Sequence, residues 1–414
     1  MRYRRFALML LIGIAILSTG CSSGAKETDE VAYVIGIGID ATDSDKVDVT
    51  YRIAIPRALS TGGGGAGSDK TSELVTIRAA NLAEARNFLN SIVARSPNLS
   101  HTKALVIGEK LARKGVNKLL RPVFRFHEFR GTILLGVISD DTTAKEFMAK
   151  NKPVLEILPS KYYETQALNA AESAYFIRST LHDFYGNMKS NSRSAYAVFF
   201  GLNPLNGLDR PSKQSILPSE VDQYVAGYIP RIGGNPAEAL GTAIFCKDKM
   251  VGTLTNEETR MLSILEGNFP GDFMAVQDPA HPQDSVNIRL RLMKNPQITV
   301  DLADKQALIT VKVFLEGEIT AIPSGVNYEA QFQQMLEDQI TLAIKQNMEQ
   351  MLKKTQELGS DVAGFGYYAR SNFSNFDDFM AMDWDEVYSQ STIKVDIVTE
   401  IRRAGLMQQT APIR

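Results

Sequence analysis

The sequence predicts an α+β protein of three serial domains, with mixed or antiparallel sheets packed against helices and a lipoprotein-type export signal in front. Three observations carry that prediction. Apolar–polar alternation, the period of a strand with one wet face, recurs from "VDVTYRIAIP" near the start to "STIKVDIVTEIRRAG" near the end. Between such runs lie stretches with apolar residues at helical spacing, several opened by capping residues. Finally, 414 residues are more than one core comfortably organises. Apolar residues at 44% and charged residues at 22% describe an ordinary globular chain, and a net charge of −2 argues against a nucleic-acid binder.

Residues 1–20 read as a signal peptide. "MRYRRFALMLLIGIAILSTGC" opens with Arg2, Arg4 and Arg5 and runs apolar from Phe6 to Leu17. Twelve helical residues span about 18 Å, too short for a hydrocarbon core of roughly 30 Å. Small residues then lead into Cys21, as in a lipoprotein signal whose cysteine takes a diacylglycerol and becomes the new N-terminus. Ser18 stands where that pattern usually has leucine. Removing residues 1–20 takes away three arginines and no acid. That leaves 42 basic against 47 acidic residues, a side-chain balance of about −5. Anchoring to lipid therefore has to come from the acyl chains rather than from a polybasic patch. Cys246 is the one other cysteine, so no internal disulfide is expected; in "TAIFC" it reads as a small buried residue.

A first α+β domain is expected over 21–205. "EVAYVIGIGID" and "VDVTYRIAIP" read as a hairpin, with Gly36 and Gly38 as strand glycines where another backbone packs closely. "GGGGAGSDKTS" is a slack loop, not a phosphate cradle. Asp69 stands where a P-loop has the glycine before its lysine, and a strand, "ELVTIRA", follows. Asn81 with Glu84 opens a helix whose face is Leu82, Ala85, Phe88, Leu89, Ile92 and Val93. A strand at 103–107 leads to a helix broken near Gly115, then "TILLGVIS" is a strand and "DTTAKEFMAK" a helix capped by Asp141 or Thr142. A long helix is expected over 163–189.

The stretch 206–284 is expected as a middle domain, with a Pro/Gly-rich boundary loop, a hairpin turning at 247–249, and a helix opened by a Thr255/Glu258 capping box. The third domain, 285–410, would hold strands in "SVNIRLRLM", "QITVDL" and "ALITVKVFLEGEIT", followed by a helix over 328–358. That helix shows a stripe of Phe332, Leu336, Ala343, Ile344, Met351, Thr355 and Leu358. The last strand sets Ile393, Val395, Ile397, Thr399 and Ile401 on one face, with Lys394, Asp396 and Glu400 on the other.

Chemistry-bearing constellations are missing from the sequence. His101, His127, His182 and His281 show no metal-ligand spacing, so no metal is expected. There is no G-x-S-x-G elbow and no catalytic cysteine signature. The acids of "NFDDFMAMDWDE" lack a calcium-loop pattern, and Phe379 and Trp384 among them suggest a short amphipathic helix. These readings describe a membrane-anchored extracytoplasmic α+β protein, a binding or assembly component. No catalytic residue, small-molecule ligand or cofactor is expected beyond the covalent diacylglycerol and N-acyl lipid on Cys21.

Several stretches, in order, resemble the Ger(x)C family, the lipoprotein C subunits of nutrient germinant receptors in bacterial spores. They are "DEVAYVIGIGID", "SHTKALVIGEKLARKGV", "AKEFMAKNKPVLEILPSKYYE", "GTAIFCKDKMVGTLTNEETRMLSIL", and "DVAGFGYYAR" through "VDIVTEIRRAGL". The resemblance implies a three-domain α+β subunit tethered to the outer face of the spore inner membrane. It also implies partnership with two polytopic receptor subunits, A and a transporter-like B. Cys21 carries over as the lipidated residue. Ser100, His101 and Lys103 match the family's "SH.K" stretch, and Arg402 and Gly405 its final "I.R.G"; His101, Lys103 and Arg402 are candidate subunit-interface residues. The glycines at 62–67 are a departure from the family pattern. A substrate-binding lipoprotein of an uptake system is the competing reading and would need a ligand cleft between two lobes. An exported hydrolase is the third.

Overall fold

A computed structural model describes residues 3–4, 30–55, 71–153, 161–165, 173–208, 223–303, 306–326, 328 and 332–403. The rest of residues 1–20, where the signal peptide is expected, lies outside the described residues, as do Cys21, the glycine loop and Gly405.

Strands β1 (Val31–Ala41) and β2 (Val47–Ala54) form the expected hairpin, and β3 (Ser72–Ala79) extends it antiparallel. Helix α1 (Leu82–Ile92) returns the chain to β4 (Ser96–Asn98) and β5 (Ala104–Gly108), both parallel to β1. Helices α2 (Glu109–Lys114) and α3 (Asn117–Val123) precede β6 (Leu134–Ile138), and α4 (Ala144–Lys150) and α5 (Leu181–Lys189) precede β7 (Tyr196–Leu202). The short pair β8 (Asn206–Gly207) and β9 (Arg231–Ile232) is followed by the hairpin β10 (Ala237–Cys246) and β11 (Lys249–Leu254). One nine-stranded sheet results, in the order β11-β10-β7-β6-β5-β1-β2-β3, with β4 beside β1. Its central strands β1, β5, β6 and β7 are parallel and covered on both faces, which is why "VAYVIGIGID" reads as an unbroken apolar run. Helices α1, α2, α3 and α5 pack on one face, and α4 with the turn at 161–165 on the other.

A Cβ on Gly38 would stand 2.7 Å from Met148 Sδ, 3.0 Å from Ala144 Cβ and 3.5 Å from Ala144 C, so the close approach expected at this glycine is that of α4. Three local expectations are corrected. The cap of α4 is Thr143, one residue later than expected. Asp40 at the end of β1 accepts the next two helical donors, Ala144 N–H at 2.8 Å and Lys145 N–H at 3.1 Å, and so fixes where the helix begins. The helix expected over 163–189 is confined at its C-terminal end to α5. Thr180 and Asp183 form a reciprocal capping box there, while Ser179 is drawn onto the sheet by Leu135 N–H and its own hydroxyl bond to Tyr196 O. On α1, Leu82, Ala85 and Leu89 face the sheet, but Phe88 and Ile92 are 45% and 59% exposed. Phe88 falls about 95° and Ile92 about 55° round the helix from the middle of that seam.

The second sheet has the order β12 (Asp272–Gln277), β13 (Ser285–Ala303), β14 (Gln306–Ala321), β15 (Thr392–Arg403). The two strands expected at 285–303 are one, kept continuous through register shifts between Leu292 and Gln297. Helix α7 (Gln333–Glu357) lies on this sheet with Phe332 as its N-cap; Tyr328, where the helix is expected to begin, is itself helical and its carbonyl accepts Phe332 N–H at 3.2 Å. Leu336, Ile340, Ile344, Met348, Met351 and Leu352 are its buried stripe, so the face read from sequence is core. The alternating face expected of β15 is present: Val395, Ile397, Thr399 and Ile401 are buried, while Lys394, Asp396 and Glu400 stand in solvent. Segment 206–284 is shared out. Its hairpin pairs with β7 in the first sheet, while α6 (Asn256–Leu265) and β12 enter the second core.

Candidate functional site

The polar machinery of the described structure is concentrated where the two sheets meet. Helix α6 occupies this seam, and every one of its residues is buried, including Asn256, Glu257, Glu258, Thr259 and Arg260. Burial of so many polar groups requires a partner for each. The Thr255/Glu258 capping box forms as the sequence predicts, and Glu258 also takes Lys354 Nζ of α7 at 2.7 Å. The Thr259 hydroxyl meets that of Thr242 on β10 at 3.1 Å. Arg260 donates to Glu257 at 2.8 Å, Asp272 at 3.1 Å, the Tyr175 hydroxyl at 2.9 Å and the Phe273 carbonyl at 3.1 Å. Burial would lower the Arg260 guanidinium, but Glu257, Tyr175 and Asp272 hold it above its ordinary value, so it stays charged. Met261, Leu262, Ile264 and Leu265 fill the second core. One helix thus fastens both sheets.

A second knot lies in "SDVAGFG" (residues 360–366). Asp361 is fully buried, and four donors converge on its carboxylate. Oδ1 accepts Gly364 N–H at 2.8 Å and Phe365 N–H at 3.0 Å; Oδ2 accepts Gly366 N–H at 2.9 Å and Trp384 Nε1–H at 2.8 Å. Burial holds the Asp361 carboxyl above its ordinary value, against the pull of Trp384 and the three backbone groups. Gly364 has φ +78°, which favours glycine, and a Cβ on Gly366 would stand 2.6 Å from the Ser192 carbonyl. The knot reaches back to the first sheet. Ser194 N–H donates to Asp361 O at 2.8 Å, Arg193 Nε to Val362 O at 3.0 Å, and Ser360 Oγ to Phe245 O of β10 at 2.7 Å. Arg193 also pairs with Glu266 just past α6.

Beside the knot opens a half-enclosed cleft of about 400 Å³, lined by Asn191, Arg193, Lys247, Asp383, Trp384 and Asp385 among others. Cys246 is half-buried nearby, its thiol 4.0 Å from Asp385 Oδ2. Burial and then the Asp385 charge push that thiol up, which is the opposite of nucleophile activation. The acidic stretch forms two short helices, α9 (Phe376–Ala381) and α10 (Trp384–Ser389), after the turn α8 (Gly366–Ala369). Phe379 and Trp384 point into the core, as expected of the aromatic residues. Among the described residues, no group of three or more His, Cys, Asp and Glu is placed to hold a metal ion.

The residues singled out from sequence are not brought together. His101 stands exposed, edge-on to Tyr33 with ring centroids 5.0 Å apart. Lys103 pairs with Glu164 at 2.5 Å, at the same end of the first sheet. Arg402 belongs to β15 of the second sheet and pairs with Glu400 at 3.2 Å and Glu316 at 3.5 Å. Asp361, Arg193 and Arg260 were not singled out from sequence. For Asp361 the local hint is its place in a glycine-containing loop, where an aspartate commonly accepts backbone N–H bonds from the residues that follow.

Fold and seam together define a two-sheet α+β protein whose halves are locked through buried polar knots. Two family models match in succession: "Spore germination protein N-terminal domain" over residues 24–201, and "Spore germination B3/GerAC like, C-terminal" over 240–405. The chain belongs to the Ger(x)C family of spore germination proteins. Among curated relatives from Bacillus subtilis (strain 168), it is 23% identical to "Spore germination protein KC", over 97% of this chain and 95% of that one. It is 22% identical to "Putative spore germination protein YfkR", over 98% of both chains, and 22% to "Spore germination protein B3", over 97% and 98%. The solved structure titled "Crystal Structure of the GerBC protein" superposes with a TM-score of 0.50 at 18% identity, covering 88% of this chain and 96% of that one.

Proposed function

We propose that the chain is the lipid-anchored C subunit of a spore germinant receptor. In this reading it is held through acylated Cys21 on the outer face of the inner membrane and assembles there with polytopic A and B subunits in nutrient-triggered germination. The observation that carries the reading is the collinear match of the family's N- and C-terminal models across the chain, with relatives covered nearly end to end. The "STGC" stretch just ahead of the body supports the anchor. Its role is one of assembly and coupling, not of catalysis. The uptake-lipoprotein reading needs two lobes that close on a ligand, and the buried helix α6 in the seam weighs against such a hinge.

The test is Cys21→Ala in the sporulating host. The variant is expected to leave the membrane fraction and to lose crosslinks to A- and B-type subunits. One nutrient response should disappear while lysozyme-triggered germination stays normal. A variant that remains membrane-bound with its nutrient response intact refutes the anchor and the role built on it.

A further inference from the structure

The end of the first sheet at which the chain enters carries an apolar groove floored by core residues such as Val31 and Ile53 and flanked by exposed apolar side chains. There β1 starts, β2 ends, β3 starts and α1 ends. A groove of about 510 Å³ opens at this end, lined by Val31, Ile53, Ile55, Val75, Ile92 and Val93 among others, with Glu73 and Arg95 as its charges. Phe88 and Ile92, one turn apart on the flank of α1, continue the apolar surface outward with 45% and 59% of each exposed. Entry of the chain is fixed at the same place, because Ser96 N–H donates to Glu30 O at 2.9 Å and Val31 itself lines the groove.

We infer that this end of the sheet seats on the bilayer, with Phe88 and Ile92 dipping into the boundary between headgroups and acyl chains. The inference rests on the lipidation of Cys21 proposed above. Glu30 lies nine residues along the chain from Cys21, so even a fully extended tether spans only about 30 Å. An acylated Cys21 therefore holds the groove and the Phe88–Ile92 flank within about that distance of the lipid surface, where apolar side chains exchange water for the interfacial layer. The β1–β2 turn, with Asp45 at its tip, is at the other end of the same strands. Tether and apolar flank share one end, which gives the body an orientation: first sheet end-on to the membrane, β1–β2 turn away from it.

The protein has a single tryptophan, Trp384, which is buried at 2% exposure and serves as a constant background. The lipidated full-length chain is prepared as Phe88→Trp, Ile92→Trp and, as the distal control, Asp45→Trp. Each is reconstituted into phosphatidylcholine/phosphatidylglycerol vesicles with or without lipid brominated near the glycerol backbone. Mass spectrometry checks Cys21 acylation in every sample. The expected result is that brominated lipid removes about half or more of the added emission at positions 88 and 92, as for side chains at the interface, and leaves position 45 and Trp384 unchanged. Unquenched 88 and 92 in an acylated chain overturn the docking surface and leave the anchor standing; that outcome also covers burial of the groove by another segment of the chain or by a protein partner. Equal quenching at all three positions overturns the orientation. A bare Cys21 thiol removes the anchor, and the docking surface falls with it. Hydrogen exchange on the unsubstituted lipidated chain provides a check free of substitutions. Amides at 88–95 should exchange more slowly on vesicles than in detergent, and identical rates count against docking.

Discussion

Substituting Asp361→Asn tests the seam most directly. The four donors around Asp361 face two oxygens, and an asparagine keeps only one of them. If the amide oxygen retains Gly364 and Phe365, its NH₂ points at Gly366 N–H and Trp384 Nε1–H. Two buried donors then lose their acceptor at about 1–3 kcal/mol each, so the expected loss is roughly 2–6 kcal/mol. The magnitude depends on the charge state. Burial raises the carboxyl, yet only the ionised form accepts all four bonds. A neutral acid would resemble the amide, and the substitution would then cost little. The assay is a urea titration followed by Trp384 emission, which reports on the seam alone because the chain has no other tryptophan. Circular dichroism should follow the same transition, since α6 and the 360–366 loop tie both sheets. Trp384→Phe, read by circular dichroism, should cost less, and the double substitution should fall short of the sum by about 1 kcal/mol or more, because both remove one shared bond. An Asp361→Asn midpoint within about 0.5 kcal/mol of the parent, the range of an ordinary surface substitution, refutes the argument for the ionised knot.

Three further outcomes follow from the packing. Asp278 is buried, but bonds from Ser324, Tyr328 and the His281 and Ala280 backbone outweigh that burial and hold its carboxyl below the ordinary value. A depressed folded pKa gives stability that is present above the ordinary carboxylate range and lost as pH falls through the folded value. Asp278→Asn should therefore flatten the acid limb of a stability–pH curve, and an unchanged acid limb refutes it. Gly201→Ala should destabilise by about 1–3 kcal/mol as overpacking against backbone, because the new Cβ would stand 2.4 Å from Ala226 O and 2.5 Å from Ala226 C. Gly186→Ala in α5 meets nothing within 4 Å, and should stabilise by about 0.5–1 kcal/mol. Thermal melts showing the same sign for both would count against this account.

Local chemistry was legible wherever a short segment carries its own answer. The Thr255/Glu258 box opens α6 where expected, the hairpin turns at Lys247 and Asp248, and β15 alternates as its residues do. The cap of α4 was not, because Asp40, more than a hundred residues upstream, takes the helix's first free donors. The same holds for α1. Its periodicity marks six apolar residues as one face, but the core takes the seam through Leu82, Ala85 and Leu89, and Phe88 and Ile92 are left exposed.

By itself, the sequence determined the class of chain: alternating strands and capped helices, and a succession of segments that place it in its family. These are properties of neighbouring residues, set by periodicity and by hydrogen bonds within one turn. Tertiary structure alone decided that the 237–254 hairpin completes the first sheet, that polar α6 is buried between two cores, and that Asp361 gathers donors from its own loop and from Trp384. The physical reason is that burial of a polar group is worth its cost only when partners from distant segments arrive together, and no local pattern records which segments those will be.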